Sequence, residues 1–119
     1  MTMQVTAGTA AVVVGLGKTG LSAVRYLRAR GARVAVTDSR SSPPELAALR
    51  AFDASVPVSL GGFDETLLAG SNLVVASPGV ATSGPFFSAA QRQGLPVVGD
   101  IELFASEARA PIVGITGTN

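Results

Sequence analysis

Cysteine, histidine and tryptophan are all absent from the 119-residue sequence. Without thiols or imidazoles there are no disulfides, no thiolate or imidazole metal ligands, no cysteine nucleophile and no histidine base. Aromatic residues are scarce at 5%, and charged residues make up only 14%. The net charge of +1 gives no general electrostatic case for nucleic acid or for an anionic membrane. Eight of the nine basic residues are arginines, and they are scattered rather than clustered. Long hydrophobic runs are missing too. The apolar run at residues 10–14 is too short for a signal peptide or a membrane span, and a glycine turn ends it. The first ten residues carry no basic segment, so a cytoplasmic location is expected.

What is present is glycine, at 14 residues, and an apolar content of 47%. Together they fit one buried α/β domain with a sizeable core and argue against disorder. Short apolar runs alternate with helix-length amphipathic segments, the pattern of a parallel sheet covered on both faces. Strands are predicted at residues 10–14, 33–37, 56–60, 72–76 and 96–98. Helices are predicted at 18–30, from 42–44 to about 52, and at 85–93. One or two helical turns are expected over 63–69. Gly31 and Gly94 are expected to end their helices. A further helix over 100–108, capped by Asp100, and a strand over 111–115 complete the pattern. The expected fold is Rossmann-like: about five parallel strands in the order 3-2-1-4-5, with helices on both faces.

Gly15, Gly17 and Gly20 match G-x-G-x-x-G between a strand and a helix, the context in which that spacing carries meaning. The first glycine permits the tight turn, the second lets a phosphate approach the backbone, and the third lets helix and strand pack closely. N–H groups at the start of the helix then face an anion. Lys18 and Thr19 follow in the turn; Thr19 offers a hydroxyl to a phosphate, and Lys18 is either a second contact or a solvated helix residue. Asp38 ends the second strand, where a carboxylate accepts from ribose hydroxyls or caps the next turn. Arg40 suits a flat base or a phosphate, or simply solvent. Ser77 and Gly79, in "ASPGV" after the fourth strand, border the glycine turn across the switch point, or form an ordinary Pro-Gly turn. These features define a nucleotide diphosphate pocket. One reading is an NAD(P)-binding domain of a dehydrogenase or a nucleotide-sensing module. Nothing in the chain suggests hydride chemistry: Tyr26 is the one tyrosine, and Arg30 stands where a Tyr-x-x-x-Lys pair would need lysine.

The tail points elsewhere. An apolar strand runs into Thr116, Gly117, Thr118 and Asn119, which look like the opening of an ATP-binding P-loop without its Gly-Lys-Ser/Thr. With "GLGKTG" (15–20), "TDSR" (37–40) followed by Pro43 and Pro44, "VASPG" (75–79), "GDIELF" (99–104) and "PIVGITGTN" (111–119), the chain resembles the N-terminal part of the Mur ligase family of bacterial peptidoglycan synthesis, in its D-glutamate-adding branch. These stretches span nearly the whole chain in the right order. "GDIELF" followed closely by "ITGTN" is the specific part of the match.

The resemblance implies a three-domain parent. Residues 1–99 would be a Rossmann-like unit binding the UDP end of UDP-N-acetylmuramoyl-L-alanine, and residues 100–119 the truncated start of the central ATPase domain. It implies that Gly15, Gly17, Lys18 and Thr19 lie against the diphosphate. Asp38, Ser39 and Arg40 would surround uracil and ribose, with Ser77 and Gly79 closing the other side. Lys18 stands where the family often has leucine, and Ser39 where it commonly has threonine. ATP and Mg²⁺ would serve the parent enzyme, which activates the substrate carboxylate as an acyl phosphate before the D-glutamate amine attacks. The chain itself, lacking its central and C-terminal domains, is expected to have no catalytic residues, no metal site, no ligase activity and a monomeric state.

Overall fold

The structure is a computed structural model and describes residues 5–105. Five strands form one parallel sheet: β1 (Ala10–Val14), β2 (Arg33–Asp38), β3 (Val58–Leu60), β4 (Leu73–Ala76) and β5 (Val97–Gly99). Their order is β3-β2-β1-β4-β5. β1 pairs with β2 on one side, Val14 opposite Thr37, and with β4 on the other, Val14 opposite Ala76. Helices α1 (Lys18–Ala29), α2 (Leu46–Phe52) and α3 (Pro85–Arg92) connect the strands, with a 3-10 turn at Glu65–Leu68.

β1 is buried along its whole length, and its alternation feeds two cores. Ala11 and Val13 join Leu21, Val24 and Leu27 of α1 and Leu49 of α2 on one face. Val12 and Val14 join Leu68, Phe86, Phe87 and Ala90 on the other. A central strand buried on both faces cannot alternate with polar residues, which is why "AAVVV" is unbroken. Both long helices end as expected. The Gly31 N–H donates to the Arg28 carbonyl and the Ala32 N–H to the Leu27 carbonyl, with Gly31 at φ +84°; Gly94 and Leu95 repeat the arrangement after α3. This double bond with a left-handed glycine satisfies the carbonyls of the last turn.

Most boundaries shift by a residue or two from the sequence reading, and three differences have a clear physical cause. α2 begins at Leu46, not at 42–44. Each residue preceding a proline is pushed away from the helical region, which disfavours helix at Ser42 and Pro43. β3 begins at Val58, since Pro57 has no N–H to give the ladder, although its carbonyl still accepts from Val36. Asp100 does not cap the last helix: residues 100–105 are helical from Asp100 itself. Gly99 precedes that helix, and its N–H donates to Glu102 Oε1 at 2.7 Å, half of a capping box.

This helix packs on the α1 side of the sheet. Leu103 is fully buried in that core, and Phe104 meets the Tyr26 ring edge-on at 5.3 Å. The predicted end of the helix, the strand at 111–115 and the stretch Thr116–Asn119 lie outside the described residues.

Candidate functional site

Neighbouring strands leave β1 in opposite directions, β2 on one side and β4 on the other, so their loops part at its carboxyl end. A cleft of about 700 Å³ opens there. Gly15, Gly17, Lys18, Thr19, Asp38, Ser39, Arg40, Ser77 and Gly79, all expected from the sequence, line it together. Phe63, Pro78, Val80 and Ser83 line it as well and were not expected. Phe63 lies past the carboxyl end of β3, on the sheet edge where ligands bind, but that position alone does not tell a cleft ring from a core ring.

The glycine turn is fixed from three sides. Gly15, at φ +95°, donates its N–H to the Thr37 carbonyl at 2.9 Å. The Leu16 N–H donates to Asp38 Oδ2 at 2.7 Å. The Ser77 hydroxyl donates to the Gly15 carbonyl at 2.9 Å, and the Ser77 N–H to the Val14 carbonyl at 3.0 Å. A Cβ on Gly20 would stand 2.0 Å from the Gly15 oxygen, so helix and strand meet there with no room for a side chain. Gly17 is different. Its backbone is extended (φ −97°, ψ −164°), and a Cβ there would meet nothing within 4 Å. The turn does not need glycine at this position for its own geometry; what the missing side chain leaves is open space on the cleft. No side chain caps α1, and its first turn has no acidic residue. The start of the helix therefore carries no side-chain partner for its N–H groups, an arrangement whose dipole favours negative charge.

Asp38 is not displayed to the cleft as a free carboxylate. It is 2% exposed and engages both oxygens. Oδ1 accepts from the Arg40 N–H at 2.8 Å and from Nε at 2.9 Å; Oδ2 accepts from Arg40 Nη2 at 2.8 Å as well as from Leu16. The Arg40 side chain beside it holds its carboxyl at about 2, against an ordinary 3.8; burial opposes the shift, and the two backbone N–H groups reinforce it. The same pair raises the Arg40 guanidinium above its usual range. Asp38 thus joins the glycine turn to the Arg40 loop, and the half-exposed guanidinium is the group presented outward.

Among the described residues, no group of three or more acidic, imidazole or thiolate side chains could hold a metal ion. No helix there is long and apolar enough to cross a membrane.

Residues 9–99 match the family model described as Mur ligase MurD-like, N-terminal domain. The UDP-N-acetylmuramoylalanine–D-glutamate ligase of Nitrosococcus oceani is 53% identical over 117 residues, covering 98% of this chain and 26% of that protein. The ligase of the same name from Marinobacter nauticus is 53% identical over 108 residues, 91% of this chain and 24% of its own length. The chain therefore spans about a quarter of the length of the curated relatives it matches. Among solved structures, a pseudomurein peptide ligase type C from Methanothermus fervidus aligns with a TM-score of 0.67 at 18% identity, over 82% of this chain and 20% of that one. Mycobacterium tuberculosis shikimate dehydrogenase aligns with a TM-score of 0.54 at 19% identity, over 92% of this chain and 52% of that one. At such identities the two structures show the fold alone.

Proposed function

The chain belongs to the Mur ligase family, as a MurD-like N-terminal domain, and from that premise we propose that its cleft binds the UDP end of UDP-N-acetylmuramoyl-L-alanine. The observation that carries the reading is Gly17. Its position on the cleft is open, its backbone suits any residue, and the uncapped start of α1 lies beside it. A diphosphate placed there would be held by N–H groups of the helix start, with Thr19 and Lys18 at the rim. The Arg40 guanidinium, oriented by Asp38, would serve the uracil and ribose end together with Ser39. Ser77 and Gly79 would close the opposite wall.

In this reading residues 1–99 are the substrate-binding unit and residues 100–119 open the central ATPase domain of a longer chain. The parent would be an ATP-dependent ligase acting in the cytoplasm and adding D-glutamate during peptidoglycan synthesis. ATP and Mg²⁺ would supply the carboxylate activation there. The described residues offer no metal-ligand cluster for them, and Thr116–Asn119 lie outside those residues, so no activation step is assigned to this segment. The work of its own residues is to bind and orient the nucleotide end, and the chain alone would have no ligase activity.

The test is a titration of the 119-residue chain with UDP, UDP-N-acetylmuramoyl-L-alanine and NAD⁺, followed by amide NMR. Saturable shifts at Gly17, Thr19, Arg40 and Ser77 with the uridine ligands, weakened in Arg40→Ala, are expected. Binding of NAD⁺ in place of the uridine ligands would replace this reading with that of a dinucleotide-binding domain.

A further inference from the structure

The phosphate-binding turn leaves Phe63 unexplained. It lies in the cleft wall with Ser39 and Arg40, beyond the carboxyl end of β3, and it is only half-buried. The core beneath it is already closed by Phe86 and Phe87, which are 3% and 6% exposed. Phe63 meets Phe86 at 5.8 Å and 64° between ring planes, and Phe87 at 6.1 Å and 83°. Two tilted contacts fix the ring on its core side. What remains open is part of the cleft wall, where an apolar ring gains nothing from water.

The loop that carries the ring is held from beneath. Thr37 is fully buried, and its hydroxyl reaches both β3 and this loop. It lies 3.1 Å from the Ser59 carbonyl and 3.2 Å from the Gly62 carbonyl as donor, and it accepts the Asp64 N–H at 3.0 Å. The residues on either side of Phe63 are therefore pinned by one side chain. Two backbone bonds tie the same loop to the Arg40 loop: the Gly61 N–H donates to the Arg40 carbonyl at 3.2 Å, and the Gly62 N–H to the Asp38 carbonyl at 3.3 Å. An aromatic ring and a guanidinium thus line one cleft, on two loops bonded to each other. A phosphate gains nothing from a flat apolar surface, whereas a planar base gains from stacking on one, and more when the surface is held in place.

We propose that Phe63 is a specificity-determining residue of the cleft, its ring forming the flat face against which the ligand's nucleobase packs, with Thr37 as the positioning residue that holds it there. The proposal rests on the reading of the cleft as a nucleoside diphosphate site. It adds that affinity is divided between an anion half at the start of α1 and a base half built on Phe63.

The experiment compares UDP with inorganic pyrophosphate by calorimetry on the 119-residue chain and its variants. Phe63→Ala should weaken UDP about tenfold, as loss of a base-stacking side chain does, and leave pyrophosphate unchanged. Phe63→Leu, which keeps an apolar side chain against Phe86 and Phe87, should show a smaller loss of the same kind, about threefold, and Phe63→Trp should restore binding. Thr37→Val should also weaken UDP selectively, and Thr37→Ser should recover it. Equal loss of both probes would make Phe63 a structural residue and overturn the proposal, as would unchanged UDP binding in the Ala and Leu variants. If the unaltered chain bound UDP no better than pyrophosphate, the base would not be read: the proposal would fall while the anion site stood. If it bound neither, the nucleotide reading would fail, and this proposal with it.

Discussion

The floor and the rim of the cleft come from the same short loops but hold together in opposite ways. The floor is Gly15, Leu16, Gly20, the Asp38 carboxylate and the Ser77 hydroxyl, all bonded to or pressed against one another. The rim is Gly17, Lys18, Thr19, Ser39, Arg40 and Gly79, whose atoms face outward. A G-x-G-x-x-G turn therefore contains both kinds of glycine. Gly20 is required by the fold, whereas nothing in the fold requires Gly17. The difference predicts that floor substitutions cost stability and rim substitutions cost affinity.

The strongest attempt to break that division is Gly20→Ala. A Cβ 2.0 Å from a backbone oxygen must separate α1 from β1. The expected loss is about 2–4 kcal/mol, read as a lower urea midpoint. Asp38→Asn comes next, with a loss of about 1–2 kcal/mol at neutral pH, allowing for solvent screening at the half-exposed arginine. Its pH dependence identifies the cause. The carboxyl is depressed in the folded state to about 2, so its contribution is complete above the ordinary value of 3.8 and is lost as pH falls toward 2. Unfolding curves of the parent should steepen in that window, and those of the Asn variant should lack that part. Ser77→Ala removes one hydrogen bond to the turn and should cost about 1 kcal/mol. Gly17→Ala is the smallest change in stability, within about 1 kcal/mol, since alanine is a somewhat poorer helix cap than glycine. It should nonetheless abolish most UDP binding in a titration. A Gly17→Ala chain that unfolded easily, or one that bound UDP normally, would erase the distinction between floor and rim.

Much of this was legible in the sequence. The five strands, their order and the two left-handed helix ends follow from apolar runs and from glycine placement, because parallel strands buried on both faces leave no room for polar residues. The residues of the cleft were legible because the fold brings strand ends together at one edge. Two things were not legible. The engagement of Asp38 was hidden, because a carboxylate at the end of β2 serves equally as a ligand contact or as an anchor, and only the distances to Leu16 and Arg40 show which bonds it makes here. Phe63 was hidden because nothing local marks a ring as facing a cleft rather than a core; its exposure depends on Phe86 and Phe87, more than twenty residues further along, having already filled the space below. The late start of α2 at Leu46 was readable in principle from the paired prolines, whose effect on the residue before them outweighs the preference for proline in a first turn.

Leu103 carries a consequence for anyone who would treat the cleft as a cassette. It lies in the same buried cluster as Leu16, the residue whose N–H is held by Asp38. A transplant cut at Gly99, where the family match stops, would take a fully buried leucine out of that cluster and uncover Tyr26 on α1. The portable unit is longer than the recognisable one: it includes the helix at 100–105, and a graft that keeps that helix carries its own foundation with it.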